Sequence, residues 1–363
     1  MSMSMSMSMS MSMSKSKNLM RAVFFYGPGD LRLQQTPVPR AGDGEVVVKI
    51  HTALTCGTDF KAYRQGHRVL MARIPSPFGH EMAGTISEVG SGVTTLREGE
   101  RVVVLNSGPC GRCFFCEQGT PELCDNIELL NGAYAEYICA PAHITRHNVH
   151  PLPEHLSFAE AALAEPFACA LHAADKMRLT PGETIALIGA GNMARLLICA
   201  LKAEGVRVLV LGRDPGRLRL ATEAGADEVI NLTQEPDGVA AVRRRTPGNR
   251  GADGVIEAVG KPETWAMSVG MARKGGRVCL FGGCAAGSKA ELDTHRIHYD
   301  EITLFGVFHH RPSYVRQALE LLSRGAVPIT LLIDRQISLE EVPPFFAANR
   351  TTSSLKAAVV IEE

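Results

Sequence analysis

Residues 184–194 read Thr184-Ile185-Ala186-Leu187-Ile188-Gly189-Ala190-Gly191-Asn192-Met193-Ala194, and this stretch decides the fold. Its first half is an apolar run typical of a buried β-strand, and its second half is a glycine-containing loop that opens a helix. Gly189 permits a tight turn, and Gly191 lets a pyrophosphate approach the backbone at the helix N-terminus. Ala194 stands at the third glycine position of this loop pattern, where a small side chain still lets helix and strand pack. The stretch predicts a dinucleotide-binding loop, with a purely structural turn as the alternative.

Strands and helices alternate around this loop. A strand, helix, strand order implies right-handed crossovers and a parallel sheet. The predicted strands are Thr184–Ile188, Val206–Leu211, Glu228–Ile230, Gly254–Ala258 and Gly276–Phe281, and the predicted helices are Met193–Glu204 and Arg217–Ala224. We therefore predict an α/β domain with a doubly wound parallel sheet of the Rossmann type at residues 169–311.

The N-terminal region has a different pattern, in which short strands are separated by turns. Strands are predicted at Arg21–Phe25, Leu31–Leu33, Glu45–Ile50, Glu100–Val104 and Tyr134–Ile138. The C-terminal tail has a helix at Tyr314–Ser323 and a strand at Ala357–Ile361, and it is too short to form a domain of its own. We therefore assign residues 18–168 and 312–363 together to one β-rich domain.

The composition is that of an ordinary globular protein with two domains. The 363 residues are 45% hydrophobic and 21% charged with no formal net charge, so no overall field favours nucleic acid or an anionic membrane. Residues 1–14 alternate Met and Ser and lack the apolar core of a signal peptide. We expect residues 1–17 to be a disordered low-complexity leader. No apolar run approaches the roughly 20 residues of a membrane span, and a cytoplasmic location is expected.

Four of the ten cysteines lie close together in the sequence, at positions Cys110, Cys113, Cys116 and Cys124. Two residues between thiolates let a loop fold back so that neighbouring sulfurs reach one tetrahedral ion at about 2.3 Å. Four sulfurs close the coordination of that ion. The spacing predicts a structural zinc site; free buried cysteines and an iron–sulfur cluster are the alternatives.

A histidine and a glutamate stand side by side in Gly79-His80-Glu81. Neutral imidazole and carboxylate are both zinc ligands, and a thiolate supplied from elsewhere would complete the set. Cys56 can supply that thiolate. On its own, a His beside a Glu is more often a hydrogen-bonded surface pair, so the rest of the chain must support the metal interpretation.

The end of the second predicted Rossmann strand bears on the choice of cofactor. An acidic residue about 20 residues after the loop usually binds the ribose 2′-hydroxyl of NAD(H). Here that position falls on Gly212, and Arg213 and Arg217 follow it. A missing carboxylate and two guanidinium groups favour the 2′-phosphate of NADP(H). In the alternative, both arginines are solvated and Asp214 holds the ribose of NAD(H).

In combination, these motifs resemble the zinc-containing medium-chain dehydrogenase/reductase family of alcohol and polyol dehydrogenases. The resemblance runs from about Met20 to the C-terminus. It rests on Cys56-Gly57-Thr58-Asp59, on Gly79-His80-Glu81 with Gly84, Gly90 and Val93, on the four cysteines and on the Gly189 loop. Glu165-Pro166-Phe167-Ala168-Cys169 looks like the glutamate-containing version of the sorbitol-, threonine- and glucose-dehydrogenase-like branch.

The resemblance implies a GroES-like β-rich catalytic domain, a Rossmann domain and two zinc ions per chain. Cys56 and His80 would bind the catalytic ion, with Glu81 or Glu165 as the third protein ligand. The implied cofactor contacts are Gly189, Gly191, Asn192, Met193, Gly212, Arg213, Arg217, Val259, Gly260, Phe281 and Gly282.

The implied activity is hydride transfer between a nicotinamide cofactor and a secondary alcohol or polyol, or the corresponding ketone. Zinc would lower the pKa of the substrate hydroxyl, Thr58 would take its proton, and hydride would pass to the nicotinamide. The expected partners are the small-molecule substrate and further copies of the chain in a homodimer or homotetramer, with neither nucleic acid nor membrane.

Two positions raise separate expectations. Arg195 stands where an apolar residue usually follows the loop, and it would either crowd the pyrophosphate or face water. His309 lies in a segment that resembles one approaching the substrate in polyol dehydrogenases, with a plain surface histidine as the alternative.

Two other functions stay open from the sequence. One is a metal-independent enoyl or quinone reductase of the same fold. The other is a non-catalytic nucleotide-sensing protein.

Overall fold

The computed structural model describes residues 19–66, 71, 73–349 and 356–361. The leader predicted at residues 1–17 lies outside the described residues. Within the described ranges, no helix combines the length and the apolar character needed to cross a bilayer.

The first part of the chain forms mainly strands, because β-branched and other apolar residues alternate with turn residues. The strands are β1 (Leu19–Gly27), β2 (Asp30–Pro37), β3 (Val46–Leu54), β4 (Ser76–Pro77), β5 (Glu81–Val89), β6 (Arg101–Val104), β7 (Ser107–Gly108), β8 (Glu128–Leu129), β9 (Tyr137–Ala140) and β10 (Val149–Pro151). The helices are α1 (Gly57–Gln65), α2 (Phe114–Glu117), α3 (Ala142–Asn148), α4 (Phe158–Ala162) and α5 (Ala164–Lys176).

The second part alternates strands and helices. The strands are β11 (Thr184–Ile188), β12 (Arg207–Gly212), β13 (Glu228–Asn231), β14 (Ala252–Glu257), β15 (Ala272–Leu280) and β16 (Thr303–Gly306). The helices are α6 (Asn192–Ala203), α7 (Pro215–Glu223), α8 (Gly238–Arg244), α9 (Pro262–Met271), α10 (Thr294–Tyr299) and α11 (Pro312–Ser323).

This second part confirms the predicted Rossmann sheet. Its six strands are parallel and lie in the order β13-β12-β11-β14-β15-β16. Every residue of β11 is buried, as expected for a central strand covered by helices on both faces. The strand order reverses between β11 and β14, which is where such folds bind nucleotides.

The C-terminal tail returns to the first part of the chain. Its elements are β17 (Ile333–Ile337), α12 (Val342–Ala348) and β18 (Lys356–Val360). Strand β18 pairs antiparallel with β3, and the large sheet runs β10-β6-β5-β3-β18-β17, with β9 also paired to β3. This pairing supports the proposed assignment of the tail to the catalytic domain, and the predicted domain bounds stay a prediction.

One predicted strand, Tyr134–Ile138, is wrong in its first half, because β9 begins only at Tyr137. The backbone N–H groups of Gly132 and Ala133 donate to the carbonyl of Gly79 at 2.7 and 3.0 Å, and that of Tyr134 donates to the carbonyl of Phe78 at 3.0 Å. These bonds replace a regular strand ladder. They hold the loop against the segment that precedes His80.

Candidate active site

Cys56 lies where β3 gives way to α1. It is the residue before the first turn of the helix, and its backbone N–H donates to Asp59 Oδ2 at 3.0 Å. This bond is one half of a capping box at the start of α1, and it fixes the position of Cys56 relative to the helix. Thr58 lies in the same first turn and is half-buried, within reach of solvent.

His80 and Glu81 stand at the start of β5. The bend before them requires glycine, because Gly79 has φ 89° and an added Cβ would lie 2.8 Å from the Tyr134 ring. The ligand atoms of Cys56, His80 and Glu81 all lie within 4.8 Å of one another. The sequence-predicted residues are therefore brought together, although they come from two separate segments.

The Asp59 carboxylate lies beside the His80 ring. Its Oδ1 lies 2.9 Å from His80 Nδ1, and its Oδ2 accepts a hydrogen bond from the Tyr134 hydroxyl at 2.6 Å. Burial alone would lower the pKa of His80, but the neighbouring Asp59 carboxylate raises it well above its usual value. With Nδ1 held by Asp59, Nε2 is left for a metal ion, which is the usual arrangement at zinc sites. The role of Asp59 was missed from the sequence, although its position three residues after Cys56 was a signal for a cap.

Glu81 is paired with a lysine from the C-terminal tail. Both residues are buried, at 0% and 2% side-chain exposure, and Lys356 Nζ lies 2.6 Å from Glu81 Oε1. Lys356 Nζ also donates to the carbonyl of Thr55 at 3.1 Å. Burial raises the pKa of Glu81, and the Lys356 ammonium partly offsets that rise. One weak signal for this pair was a lysine at the start of an otherwise apolar strand.

Glu165 lies in the first turn of α5 and belongs to a second group of possible ligands. Its carboxylate oxygen and the ring nitrogens of His309 and His310 lie within 4.8 Å of one another. Burial raises the pKa of Glu165 to about 7. Among the described residues, no basic side chain forms a salt bridge with Glu165, and the Cys169 thiol approaches it at 3.9 Å. A cation placed here would therefore find an uncompensated carboxylate.

His309 is half-buried and tied to the catalytic part of the chain. Its Nε2 lies 2.6 Å from Ser107 Oγ, and its carbonyl lies 2.9 Å from His172 Nδ1. Burial lowers the pKa of His309 to about 4, so the ring is neutral at pH 7. Its backbone has φ 60°, which is uncommon for a residue other than glycine. The plain surface histidine that was the alternative does not describe this residue.

The four predicted lobe cysteines form a separate cluster. The Cys113 sulfur lies 3.6 Å from that of Cys116 and 3.7 Å from that of Cys124. Four sulfurs at about 2.3 Å from one tetrahedral ion would lie about 3.8 Å apart, so these separations fit zinc. Backbone N–H groups of Cys110 and Asn126 point to the Cys124 sulfur at 3.3 Å each. All ten cysteines are free in the structure.

The Gly189 loop is shaped as expected for a pyrophosphate. Gly189 has φ 116°, and Gly191 precedes the first residue of α6 with no atom within 4 Å of the place where a Cβ would stand. The backbone can therefore be approached closely there. Of the two alternatives for Arg195, the one in which it faces water is wrong: its side chain is buried, and its guanidinium donates to the carbonyl of Ala190 at 3.4 Å and to Asn192 Oδ1.

The one carboxylate in the segment that follows β12, Asp214, is already hydrogen-bonded. Gly212 closes the strand, Arg213 is exposed, and Arg217 is half-buried on α7. Asp214 caps α7 by accepting from the Arg217 backbone N–H at 2.8 Å. The carboxylate nearest to the expected ribose position therefore has a structural task.

The remaining predicted cofactor residues gather at the carboxyl ends of β14 and β15. Backbone N–H groups of Val259 and Gly260 donate to Glu257 Oε1 at 2.8 and 3.0 Å, and those of Phe281 and Gly282 donate to the Glu257 carbonyl at 3.0 and 2.7 Å. The Glu257 carboxylate and carbonyl thus hold the two strand ends together, at the side of the sheet where the Gly189 loop also lies.

Comparison with known proteins shows the family. Residues 42–154 match the alcohol dehydrogenase GroES-like domain, and residues 179–324 match the zinc-binding dehydrogenase family. The chain is similar to sorbitol dehydrogenase of Bacillus subtilis (strain 168), with 32% identity over 89% of this chain and 91% of that enzyme. It is 31% identical to D-arabinitol dehydrogenase 1 of Uromyces fabae, over 94% of this chain and 97% of that enzyme.

The fold is also that of solved dehydrogenases. A zinc-binding dehydrogenase from Sinorhizobium meliloti 1021 bound to NADP superposes with a TM-score of 0.85 at 29% identity, covering 94% of this chain and 99% of that chain. Together with the grouped Cys56, His80 and Glu81 donors, these likenesses decide the assignment. The chain belongs to the zinc-type medium-chain alcohol and polyol dehydrogenases, which are nicotinamide-dependent oxidoreductases with a GroES-like domain and a Rossmann domain.

Proposed function

We propose that this dehydrogenase oxidises a secondary hydroxyl of a polyol, or reduces the corresponding ketone, with NADP(H) as its preferred cofactor. The relatives named above are a sorbitol and an arabinitol dehydrogenase. The observation that carries the proposal is the pairing of two donor groups, one of Cys56, His80 and Glu81 and one of Glu165, His309 and His310. The charge of His80 acts on the pKa of both Glu165 and His309, so the two groups lie near each other.

The first group fits a catalytic zinc ion. His80 presents Nε2, Cys56 presents a thiolate, and a carboxylate completes the set. Lys356 already holds Glu81, whereas Glu165 has no such partner among the described residues. Either carboxylate would serve as the third ligand: Glu81 lies with Cys56 and His80, and Glu165 lies in the neighbouring group without a basic partner among the described residues. When bound, zinc would supply Lewis acidity that lowers the pKa of the substrate hydroxyl.

The second zinc ion of the proposal belongs to the four-cysteine lobe. Cys110, Cys113, Cys116 and Cys124 would fill all four positions around it, which leaves none for a substrate. This ion would serve the fold of the lobe alone.

The protein's own residues have separate tasks in the reaction. Thr58 stands in the half-buried first turn of α1 and would accept the hydroxyl proton and pass it towards solvent. Asp59 keeps His80 in one tautomer and one orientation. His309 is neutral and fixed by Ser107, and it would form a hydrogen bond with a second hydroxyl of the substrate. A substrate with several hydroxyl groups satisfies these contacts better than a simple alcohol.

The preference for NADP(H) rests on the end of β12. No side chain stands at Gly212 to bind a ribose hydroxyl, and Asp214 is engaged as the cap of α7. Arg213 and Arg217 offer positive charge for a 2′-phosphate. The proposed contacts with the rest of the cofactor are Gly189, Gly191, Asn192, Met193, Val259, Gly260, Phe281 and Gly282.

Two further properties belong to the proposal. The ten free cysteines are consistent with a reducing compartment, and we place the enzyme in the cytoplasm. Strand β16 is an edge of the Rossmann sheet, and its pairing with a second copy would give a homodimer or homotetramer. Light scattering after gel filtration would measure the number of chains directly.

An activity screen tests the proposed function. Polyols, sugars and amino alcohols would be offered with NADP⁺ and with NAD⁺, and we expect turnover of polyols, with NADP⁺ favoured. Arg213→Asp should shift the ratio of kcat/KM values towards NAD⁺ by about tenfold, which corresponds to one lost charge-assisted contact. An unchanged ratio would contradict the assignment of Arg213 to the 2′-phosphate.

Cys56→Ser separates this function from the two other functions. We expect it to abolish turnover while NADPH binding persists, whereas Cys139→Ser, a control in β9, should leave turnover unchanged. A metal-independent reductase would stay active in Cys56→Ser. A nucleotide-sensing protein would bind NADPH without turning over any substrate in the screen.

A further inference from the structure

Arg195 is a buried cation within the dinucleotide-binding fold. It lies in the first turns of α6, where its backbone N–H donates to the carbonyl of Gly191 at 3.2 Å. Its exposure is 1%, which makes it one of the largest fully buried side chains of the protein. A guanidinium is rarely buried this deeply without a carboxylate to balance its charge.

The partners of Arg195 within the described ranges are neutral. The guanidinium donates to the Ala190 carbonyl at 3.4 Å and to Asn192 Oδ1, and its Nε has no hydrogen-bond partner. Among the residues that the structure describes, no carboxylate forms an ion pair with Arg195. Burial and the nearby Arg217 lower its pKa to about 10, with Asp334 partly offsetting them, so it stays charged at pH 7. Within the described residues, this positive charge therefore has no carboxylate in direct contact with it, and Asp334 acts on it only from a distance.

The position of this charge points to its missing partner. Ala190 and Asn192 flank Gly191, the residue at which a pyrophosphate approaches the backbone. Gly212 is also adjacent, because a Cβ added to it would lie 3.1 Å from the Ala190 Cβ. The guanidinium is thus hydrogen-bonded to the residues on both sides of Gly191. It also lies near the end of β12, after which Arg217 follows in the sequence. Anions gather at a helix N-terminus of this kind, and Arg195 adds a full charge to the partial charge of the helix.

We propose that Arg195 is a cofactor-binding residue, whose guanidinium balances the charge of a phosphate of the bound dinucleotide from within the loop. The inference rests on the nicotinamide cofactor binding at the Gly189 loop. Arg195 would act in addition to Arg213 and Arg217, the two arginines that follow β12. The phosphate is either the pyrophosphate, which both cofactors contain, or the 2′-phosphate, which only NADP(H) contains. The two possibilities are distinguished by comparing the affinities for NADPH and NADH.

The direct test compares the binding of NADPH and NADH to wild type, Arg195→Met and Arg195→Lys by fluorescence titration. Methionine keeps the bulk and removes the charge, and we expect a loss of affinity of about tenfold to a hundredfold, as for other charge-assisted contacts. Equal losses for both cofactors would identify the pyrophosphate, and a loss confined to NADPH would identify the 2′-phosphate. Arg195→Lys should retain more affinity than Arg195→Met. Arg219→Met, which removes an exposed charge on α7, is the control and should bind as wild type does.

Melting temperatures distinguish binding from a merely structural role. Removing an unbalanced buried charge should leave the Tm of the cofactor-free protein unchanged or higher, while the rise in Tm on adding NADPH should shrink. A lower Tm without cofactor, with an undiminished rise on adding NADPH, would overturn the proposal, as would unchanged affinity for both cofactors in Arg195→Met. A wild-type protein that binds neither cofactor would instead overturn the proposed function.

Discussion

The two cysteine-containing clusters of this enzyme are built in different ways. The lobe takes Cys110, Cys113, Cys116 and Cys124 from one short segment, and all four donors are thiols. The catalytic group takes Cys56 from the start of α1 and the adjacent His80 and Glu81 from the start of β5, with Glu165 nearby on α5. Its donors are a thiol, an imidazole and carboxylates. The two clusters of possible zinc ligands therefore share little in their construction.

The difference extends to the residues behind the donors. In the lobe, backbone N–H groups support the Cys124 sulfur, and a loop of local sequence is sufficient. In the catalytic group, Asp59 supports His80, and Lys356 neutralises Glu81 from the far end of the chain. A fully coordinated ion needs four donors and little else, whereas an ion with an open position needs donors whose charge and orientation are controlled.

The largest expected effect separates the two clusters by activity. His80→Ala should lower kcat/KM on the order of a thousandfold or more, because it removes a donor of the ion that polarises the substrate, an effect worth several kcal/mol. NADPH affinity should stay near that of wild type. Steady-state kinetics and fluorescence titration measure both quantities. Activity within tenfold of wild type would contradict the role given to His80.

The next largest effect concerns the buried pair of Glu81 and Lys356, which has no counterpart in the four-cysteine lobe. Lys356→Met leaves Glu81 buried without its partner, which should destabilise the protein by about 3 to 5 kcal/mol, as measured by urea unfolding. The double variant Glu81→Gln with Lys356→Met removes both charges and should recover part of this loss. If the double variant is no more stable than Lys356→Met, Lys356 does not stabilise the protein by neutralising Glu81.

A smaller effect is expected for the residue that orients His80. Asp59→Asn should weaken zinc binding or kcat/KM by about 10- to 100-fold, because the His80 ring loses the carboxylate that fixes its tautomer. Asp125→Asn, next to the lobe cysteine Cys124, is the matched control and should change activity by less than about twofold, as is usual for surface positions. Equal effects of the two substitutions would contradict the role given to Asp59.

The sequence was sufficient wherever the signal is local. The four-cysteine spacing, the Gly189 loop and the alternation around it predicted the lobe cluster and the Rossmann sheet, because each depends on residues close together in the chain. The pairing of Glu81 with Lys356 spans 275 positions and depends on β18 joining β3, which no local pattern encodes. The burial of Arg195 was missed for a similar reason, since it depends on how α6 packs against the loop and α7.

Zinc content tests the contrast between the two clusters most directly. Purified wild-type protein should contain two zinc ions per chain, and His80→Ala and Cys113→Ser should each contain one. The ion left in His80→Ala should have four sulfur neighbours by X-ray absorption, and the ion left in Cys113→Ser should have one. A wild-type protein with a single zinc ion, or a His80→Ala variant that keeps two, would contradict the account.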